Sequence, residues 1–209
     1  MKNGLFITFE GLDASGKSTQ IKCLSEFLVS VGYRPVVTRE PGGTLIGEQI
    51  RAVILDTSNK GMDYVAEAML YAAARAQLVA EIIRPALEDG RIVICDRFVD
   101  SSLAYQGYAR KLGGMVDVIN SFGVGECTPD ITFLLKVSPE TGEDRRNGKA
   151  PDRIESEDAL YHAAVSRAYE EIERKNPQRL IGIDGGSGIR EISIQIIERV
   201  NKELAARGL

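Results

Sequence analysis

Gly11-Leu12-Asp13-Ala14-Ser15-Gly16-Lys17-Ser18 satisfies the pattern G-x-x-x-x-G-K-[ST], and the residues on either side satisfy what that pattern needs. Upstream, Leu5-Phe6-Ile7-Thr8-Phe9 is apolar and β-prone, the profile of a buried strand. Downstream, apolar residues recur at 21, 24, 27, 28 and 31, which traces one face of a helix. Strand, glycine-rich loop and helix are the order that phosphate chemistry requires. The glycines let backbone N–H groups wrap a polyphosphate, Lys17 reaches its terminal oxygens, and the Ser18 hydroxyl can ligate a divalent cation. Gly11, Asp13, Ala14, Ser15, Gly16, Lys17, Ser18 and Thr19 are therefore the expected triphosphate-binding set. A merely glycine-rich turn is the alternative, and the flanking strand and helix argue against it.

Outward from this loop, short apolar stretches alternate with longer helical patterns. Strands are predicted at 4–9, 35–38, 91–95, 131–137 and 179–183. Helices are predicted at 17–31, 43–55, 63–89, 100–108, 113–125, 156–175 and 189–206. Alternation of this kind implies an α/β fold: a central five-stranded parallel sheet with helices on both faces, of the P-loop NTPase type. Ligands then gather at the carboxyl ends of the strands. Residues 1–209 read as a single phosphate-loop domain, with no repeat and no dividing linker. One segment stands apart. Residues 139–155 are dense in charge, Gly and Pro and carry Arg145, Arg146, Lys149 and Arg153. A solvated loop is the plain reading; beside a phosphate loop, a short mobile lid is the favoured one.

Composition excludes several classes. The net charge of −4 among 209 residues argues against general nucleic-acid binding. No apolar run approaches the roughly 20 residues of a membrane span. Cys23, Cys95 and Cys127 are far apart and odd in number, the usage of reduced thiols. An early strand leaves no room for a secretory leader, so a cytoplasmic protein is expected. His162 is the only histidine, which removes His-based triads and His-rich metal sites and leaves it as a bystander on a helix.

Arg91-Ile92-Val93-Ile94-Cys95-Asp96 is a strand ending in an acid, where the partner of a phosphate loop belongs. Asp96 suits Mg²⁺, directly or through water, and Arg97 has the rigid fork that suits a phosphate. Here the chain becomes recognisable. The run from Asp96 to Gly107 (DRFVDSSLAYQG) resembles the D-R-[YF]-x-x-S-S-x-A-Y-Q-G signature of bacterial thymidylate kinases. Thr38–Thr44 (TREPGGT) is similar to that family's loop after the second strand, and Leu70–Gln77 (LYAAARAQ) to its base-binding helix. Asp152-Arg153-Ile154-Glu155 resembles the motif that closes its lid. With the phosphate loop, these motifs follow the family's order from residue 10 to about 155.

The resemblance implies transfer of the γ-phosphoryl group of ATP, with Mg²⁺, to dTMP, in a homodimer that engages neither nucleic acid nor membrane. It implies that Tyr71 stacks on thymine and Arg75 bonds an exocyclic oxygen. On the residues alone, Tyr71 would be core and Arg75 a surface charge, although Glu67, Tyr71 and Arg75 share one helix face. It places Ser102 and Gln106 near the base edge and Tyr105 against the deoxyribose, where a ring disfavours a 2′-hydroxyl. Arg39, Arg51 and Arg97 form the implied clamp for the acceptor phosphate, with Pro41 also in the substrate-binding set; Arg51 could equally be an exposed helix residue. Asp13 resembles the family acid that meets the sugar 3′-hydroxyl or a magnesium-bound water. Ser18 and Asp96 are the implied metal ligands, and Glu10 is open to a structural role. Some family members carry arginine where this chain has Ala14, so the missing cation is expected from Arg153 with Arg145 or Arg146, alongside Lys17 and Arg97. Adenine is expected between the lid base and the loop 184–188, with no residue assigned.

Two alternatives remain: another nucleoside monophosphate kinase, acting on UMP, dUMP or CMP, and a non-catalytic nucleotide-binding regulator. The regulator would need an N-K-x-D motif after the fourth strand; Asn59-Lys60-Gly61-Met62 is a near miss in the wrong place.

Overall fold

A computed structural model describes residues 4–138, 141 and 150–208. Five strands, β1 (Leu5–Glu10), β2 (Val36–Arg39), β3 (Ile92–Asp96), β4 (Ile131–Lys136) and β5 (Leu180–Asp184), form one sheet in the order β2-β3-β1-β4-β5. Every pairing is parallel, with Leu5 opposite Ile92, Ile7 opposite Ile131, Val36 opposite Val93 and Thr132 opposite Leu180. Each strand starts or ends within one residue of its predicted position. Because all strands run one way, Glu10, Arg39, Asp96, Lys136 and Asp184 end on a single edge. Strand order reverses beside β1, so a crevice opens at the ends of β1 and β3.

Strands covered on both faces read as near-continuous apolar runs, and β1 is buried throughout with Thr8 and Glu10 its polar positions. Leu5, Ile7 and Phe9 face α1 (Lys17–Ser30) and α8 (Ile189–Arg207), packing with Leu24, Leu28, Ile196 and Val200. Phe6 and Val93 face the other way, against Leu78, Ile83 and Phe98. A third cluster sets α7 (Ala159–Lys175) against Leu134, Leu180 and Tyr105.

Side chains fix the helix starts. Thr44 accepts from the Gly47 amide to cap α2 (Leu45–Leu55), Asp63 accepts from Val65 and Ala66 to cap α3 (Tyr64–Leu78), and Asp158 accepts from Tyr161 to cap α7. Each such cap contributes about 1 kcal/mol. The long helix predicted over 63–89 is interrupted. A π-helical turn at Val79–Ile83 separates α3 from α4 (Arg84–Glu88). Pro85 lacks an N–H and its ring would strike the carbonyl one turn back, so the preceding turn widens. The stretch predicted over 100–108 divides too, into α5 (Val99–Ser102) and a π-helical turn at Leu103–Ala109, followed by α6 (Met115–Val124).

Candidate active site

The carboxyl edge of the sheet holds a cavity of about 410 Å³ whose two ends differ in chemistry. At one end lies the phosphate loop. Gly11 has φ 132° and a side chain there would strike the Leu135 carbonyl; Gly16, at φ 100°, turns the chain into α1. Residues 13 to 19, including Ala14, Ser15, Gly16, Ser18 and Thr19, line the cavity, whereas Gly11 lines a neighbouring hollow of about 370 Å³. Lys17 is buried, and its Nζ donates to the carbonyls of Gly11 (3.1 Å) and Leu12 (2.9 Å). Burial, with Arg97 close by, lowers its pKa from 10.5 to about 8, against the pull of Asp13, Asp96 and Glu10.

β3 delivers Asp96 and Arg97 to the same place. Ser18 Oγ donates to Asp96 Oδ2 at 3.2 Å, and Asp96 Oδ1 is buried with no protein partner among the described residues. A hydroxyl and a carboxylate with one unsatisfied oxygen suit a hard cation that keeps most of its water shell, as Mg²⁺ does. Arg97 sits at φ 67°, a left-handed backbone that costs a non-glycine residue about 1–2 kcal/mol. Its amide bonds the Phe9 carbonyl (2.9 Å) and its Nη2 meets Asp13 Oδ1 at 2.7 Å. Burial would raise the Asp13 carboxyl, but Arg97 and Lys17 outweigh it and hold the pKa at about 2.

Glu10 explains why the helix after Arg97 starts where it does. Phe98 supplies no side-chain cap for α5; instead Glu10 Oε1 accepts from the amides of Phe98 (2.8 Å) and Ser101 (3.2 Å). Its Oε2 accepts from Ser101 Oγ (2.6 Å) and the Tyr169 hydroxyl (2.8 Å). Beneath, Asp100 is fully buried and takes a two-pronged bond from Arg179 at 2.7 and 2.8 Å. A strand end and a buried ion pair thus lock the segment that carries the site.

The opposite end of the cavity is lined by Tyr71 from α3, Ser102 from α5, and Tyr105 and Gln106 from the π-helical turn. Arg110 closes that turn with its amide on the Tyr105 carbonyl (3.0 Å), five residues back. Burial raises both tyrosine hydroxyls, so they stay neutral. Between the two ends come Arg39, held by Glu48 at 2.8 and 2.9 Å, and Arg51, whose Nη1 donates to the Pro41 carbonyl at 2.8 Å. Both arginines and Pro41 line the cavity, so Arg51 is not simply an exposed helix residue.

Two sequence-predicted residues lie behind the wall. Arg75 is 1% exposed, neither on the surface nor in the lining. Its Nε and Nη2 bond Glu40, Nη1 bonds Ser102 Oγ (3.0 Å) and Asn120, and Nη2 also bonds the Phe98 carbonyl (3.1 Å). Burial raises Glu40 to about 7, against the pull of Arg75. Arg153 is also buried: its Nε donates to the Ile54 carbonyl at 2.6 Å and its Nη2 lies 2.8 Å from Glu67. The expectation that Arg153 faces the phosphates does not hold in this arrangement, because a buried carboxylate and a helix-end carbonyl already engage it. Arg145 and Arg146 lie outside the described residues. Glu40, Leu55, Ser101 and Ile154 line the cavity without having been singled out as site residues.

A parallel sheet of this order, with one cavity lined by a phosphate loop, by arginines and by an aromatic pocket, defines a P-loop nucleotide kinase. The thymidylate kinase family model matches residues 9–196. A thymidylate kinase of Symbiobacterium thermophilum is 46% identical over 207 residues, covering 97% of this chain and 95% of that protein. One of an Exiguobacterium species is 43% identical over 209 residues, covering 99% of each. The crystal structure of the Ehrlichia chaffeensis thymidylate kinase superposes with a TM-score of 0.79 at 33% identity, covering 94% of this chain and 98% of that one. The chain belongs to the thymidylate kinase family.

Proposed function

We propose that the protein transfers the γ-phosphoryl group of ATP to the phosphate of dTMP, giving dTDP and ADP. One observation carries the reading: a single cavity holds the phosphate loop and, across Arg97, a pocket with an aromatic ring and amide and hydroxyl groups suited to a base. An acceptor phosphate oxygen forms the new bond to the γ-phosphorus as the bond to the β-bridging oxygen breaks. The acceptor phosphate is already largely ionised at neutral pH, its second pKa being about 6, so no general base is needed. What remains is bringing two polyanions into line and offsetting their charge.

Lys17 and Arg97 supply positive charge at neutral pH, and Asp13 orients Arg97. Ser18 and Asp96 would hold Mg²⁺, which neutralises charge on the transferring group when bound. Arg39 and Arg51 complete the acceptor clamp. Tyr71 offers a stacking face, Ser102 and Gln106 read the base edge, and Arg75 supports that edge from behind. Tyr105 crowds the sugar and favours a deoxynucleotide. The chain works as one kinase domain, with residues 139–155 as its lid and Arg145 and Arg146 as the lid's cations, in a cytoplasmic homodimer. Among the described residues no helix is long and apolar enough to cross a membrane.

The test is ADP release from MgATP with dTMP, dUMP, UMP, CMP, dCMP, GMP and AMP offered separately. Turnover concentrated on dTMP, with dUMP weaker, is expected. Turnover mainly with UMP or CMP would overturn the pocket assignment, and no turnover with any acceptor would overturn the kinase reading.

A further inference from the structure

A side-chain amide has a donor end and an acceptor end, and the end facing a bound base decides which base fits. Gln106 lines the cavity while its Nε2 donates to Glu67 Oε1 at 2.9 Å. Glu67 is fully buried on α3, with Arg110 at 3.2 Å and Arg153 at 2.8 Å from the same Oε2. A carboxylate facing two guanidinium groups presents only acceptor oxygens. Turning the amide over would set two oxygens against each other at hydrogen-bond distance in a buried place, leaving the Gln106 oxygen without a donor and Glu67 Oε1 with only Arg110 Nε at 3.3 Å. The Gln106 Oε1, an acceptor, is therefore the end left for the cavity that Gln106 lines.

Arg110 cannot readily be displaced from this arrangement. It also pairs with Glu157 at 2.6 Å and lies 4.4 Å from the rings of both Tyr64 and Tyr161. Glu67 is thus held by groups from three directions.

We infer that Glu67 is a positioning residue that fixes the polarity of Gln106, so that the pocket takes a base whose ring nitrogen carries a hydrogen and rejects one whose ring nitrogen is a bare acceptor. The inference rests on the reading of this end of the cavity as the acceptor-base pocket. Thymine and uracil present N3–H and can donate to Oε1. Cytosine presents an N3 lone pair, which would leave two acceptors facing each other, at a cost of about 10²-fold or more in kcat/KM.

The experiment is kcat/KM for dTMP and dCMP, and KM for ATP, in the wild type, Glu67→Asp, Gln106→Met and the double variant, with melting temperatures recorded. Aspartate keeps the charge that Arg110 and Arg153 need but withdraws it from the amide by one methylene. The dTMP-over-dCMP ratio should fall at least about tenfold in Glu67→Asp while KM for ATP stays within about twofold. In the Gln106→Met background the Glu67→Asp change should shift the ratio no further. An unchanged ratio in folded Glu67→Asp would overturn the inference, as would an equal shift in both backgrounds. The wild type alone provides a test that no folding defect can spoil, since binding of dTMP and dCMP with equal affinity would also overturn it. Failure of the wild type to phosphorylate dTMP at all would strike instead at the function on which the inference rests.

Discussion

Lys17 is charged in the empty site only up to about pH 8, and this makes triphosphate binding a proton-linked event. At pH 7 about nine-tenths of the empty protein carries a charged Lys17; at pH 9 about one-tenth does. Bound phosphates favour the charged form, so the bound state is protonated across that range. Affinity for ATP should therefore fall about tenfold, or about 1.4 kcal/mol, from pH 7 to pH 9. Titration calorimetry in two buffers of different ionisation enthalpy counts the protons. Uptake should rise from about 0.1 per ATP at pH 7 to about 0.9 at pH 9. Lys17→Met serves as the control and should abolish the uptake. The sign for stability is the reverse of that for binding. A lysine lowered from 10.5 to about 8 costs the empty fold about 3 kcal/mol at neutral pH, relieved as pH rises through 8. Losing the bonds to the Gly11 and Leu12 carbonyls offsets about 2 kcal/mol of that in Lys17→Met. The unliganded variant should melt about 2–4 °C higher. Flat affinity, or no proton uptake at pH 9, would refute the electrostatic account of the loop.

Four further outcomes follow from the geometry. Arg97→Ala should lower kcat/KM about 10³-fold, as loss of an arginine finger does, in a steady-state assay. Arg97→Gly should be equally inactive yet melt above Arg97→Ala, because glycine relieves the left-handed backbone by about 1 kcal/mol; equal melting would contradict the strain at φ 67°. Asp100→Asn leaves Arg179 without its charge partner and should cost about 3–5 kcal/mol, a drop of about 10 °C in scanning calorimetry; a drop under about 2 °C would contradict it. Tyr105→Ala should let 5-methyluridine monophosphate compete with dTMP in turnover, narrowing the preference at least about tenfold; an unchanged preference would remove Tyr105 from sugar selection.

The sheet and its helices were legible because their signals are local. Continuous apolar runs marked β1, β3 and β4, and glycines at fixed spacing marked the phosphate loop. What was not legible depends on partners distant in sequence. Arg75 read as a surface charge on its own, since nothing near it shows that Glu40, Ser102 and Asn120 converge on it. Arg153 read as a phosphate-facing cation, yet Glu67 and the end of α2 hold it inward. A faint signal existed: Glu67 shares a helix face with Tyr71 and Arg75, a charged residue where a buried stripe belongs. The π-helical turn at Leu103–Ala109 left no mark in the periodicity, although it is what carries Tyr105 and Gln106 to the cavity.

Group transfer between two nucleotides is the central claim, and label transfer tests it most directly. With ATP carrying ³²P at the γ-position, Mg²⁺ and dTMP, label should appear in dTDP in step with ADP. Label released as inorganic phosphate, with dTMP unchanged, would contradict the account.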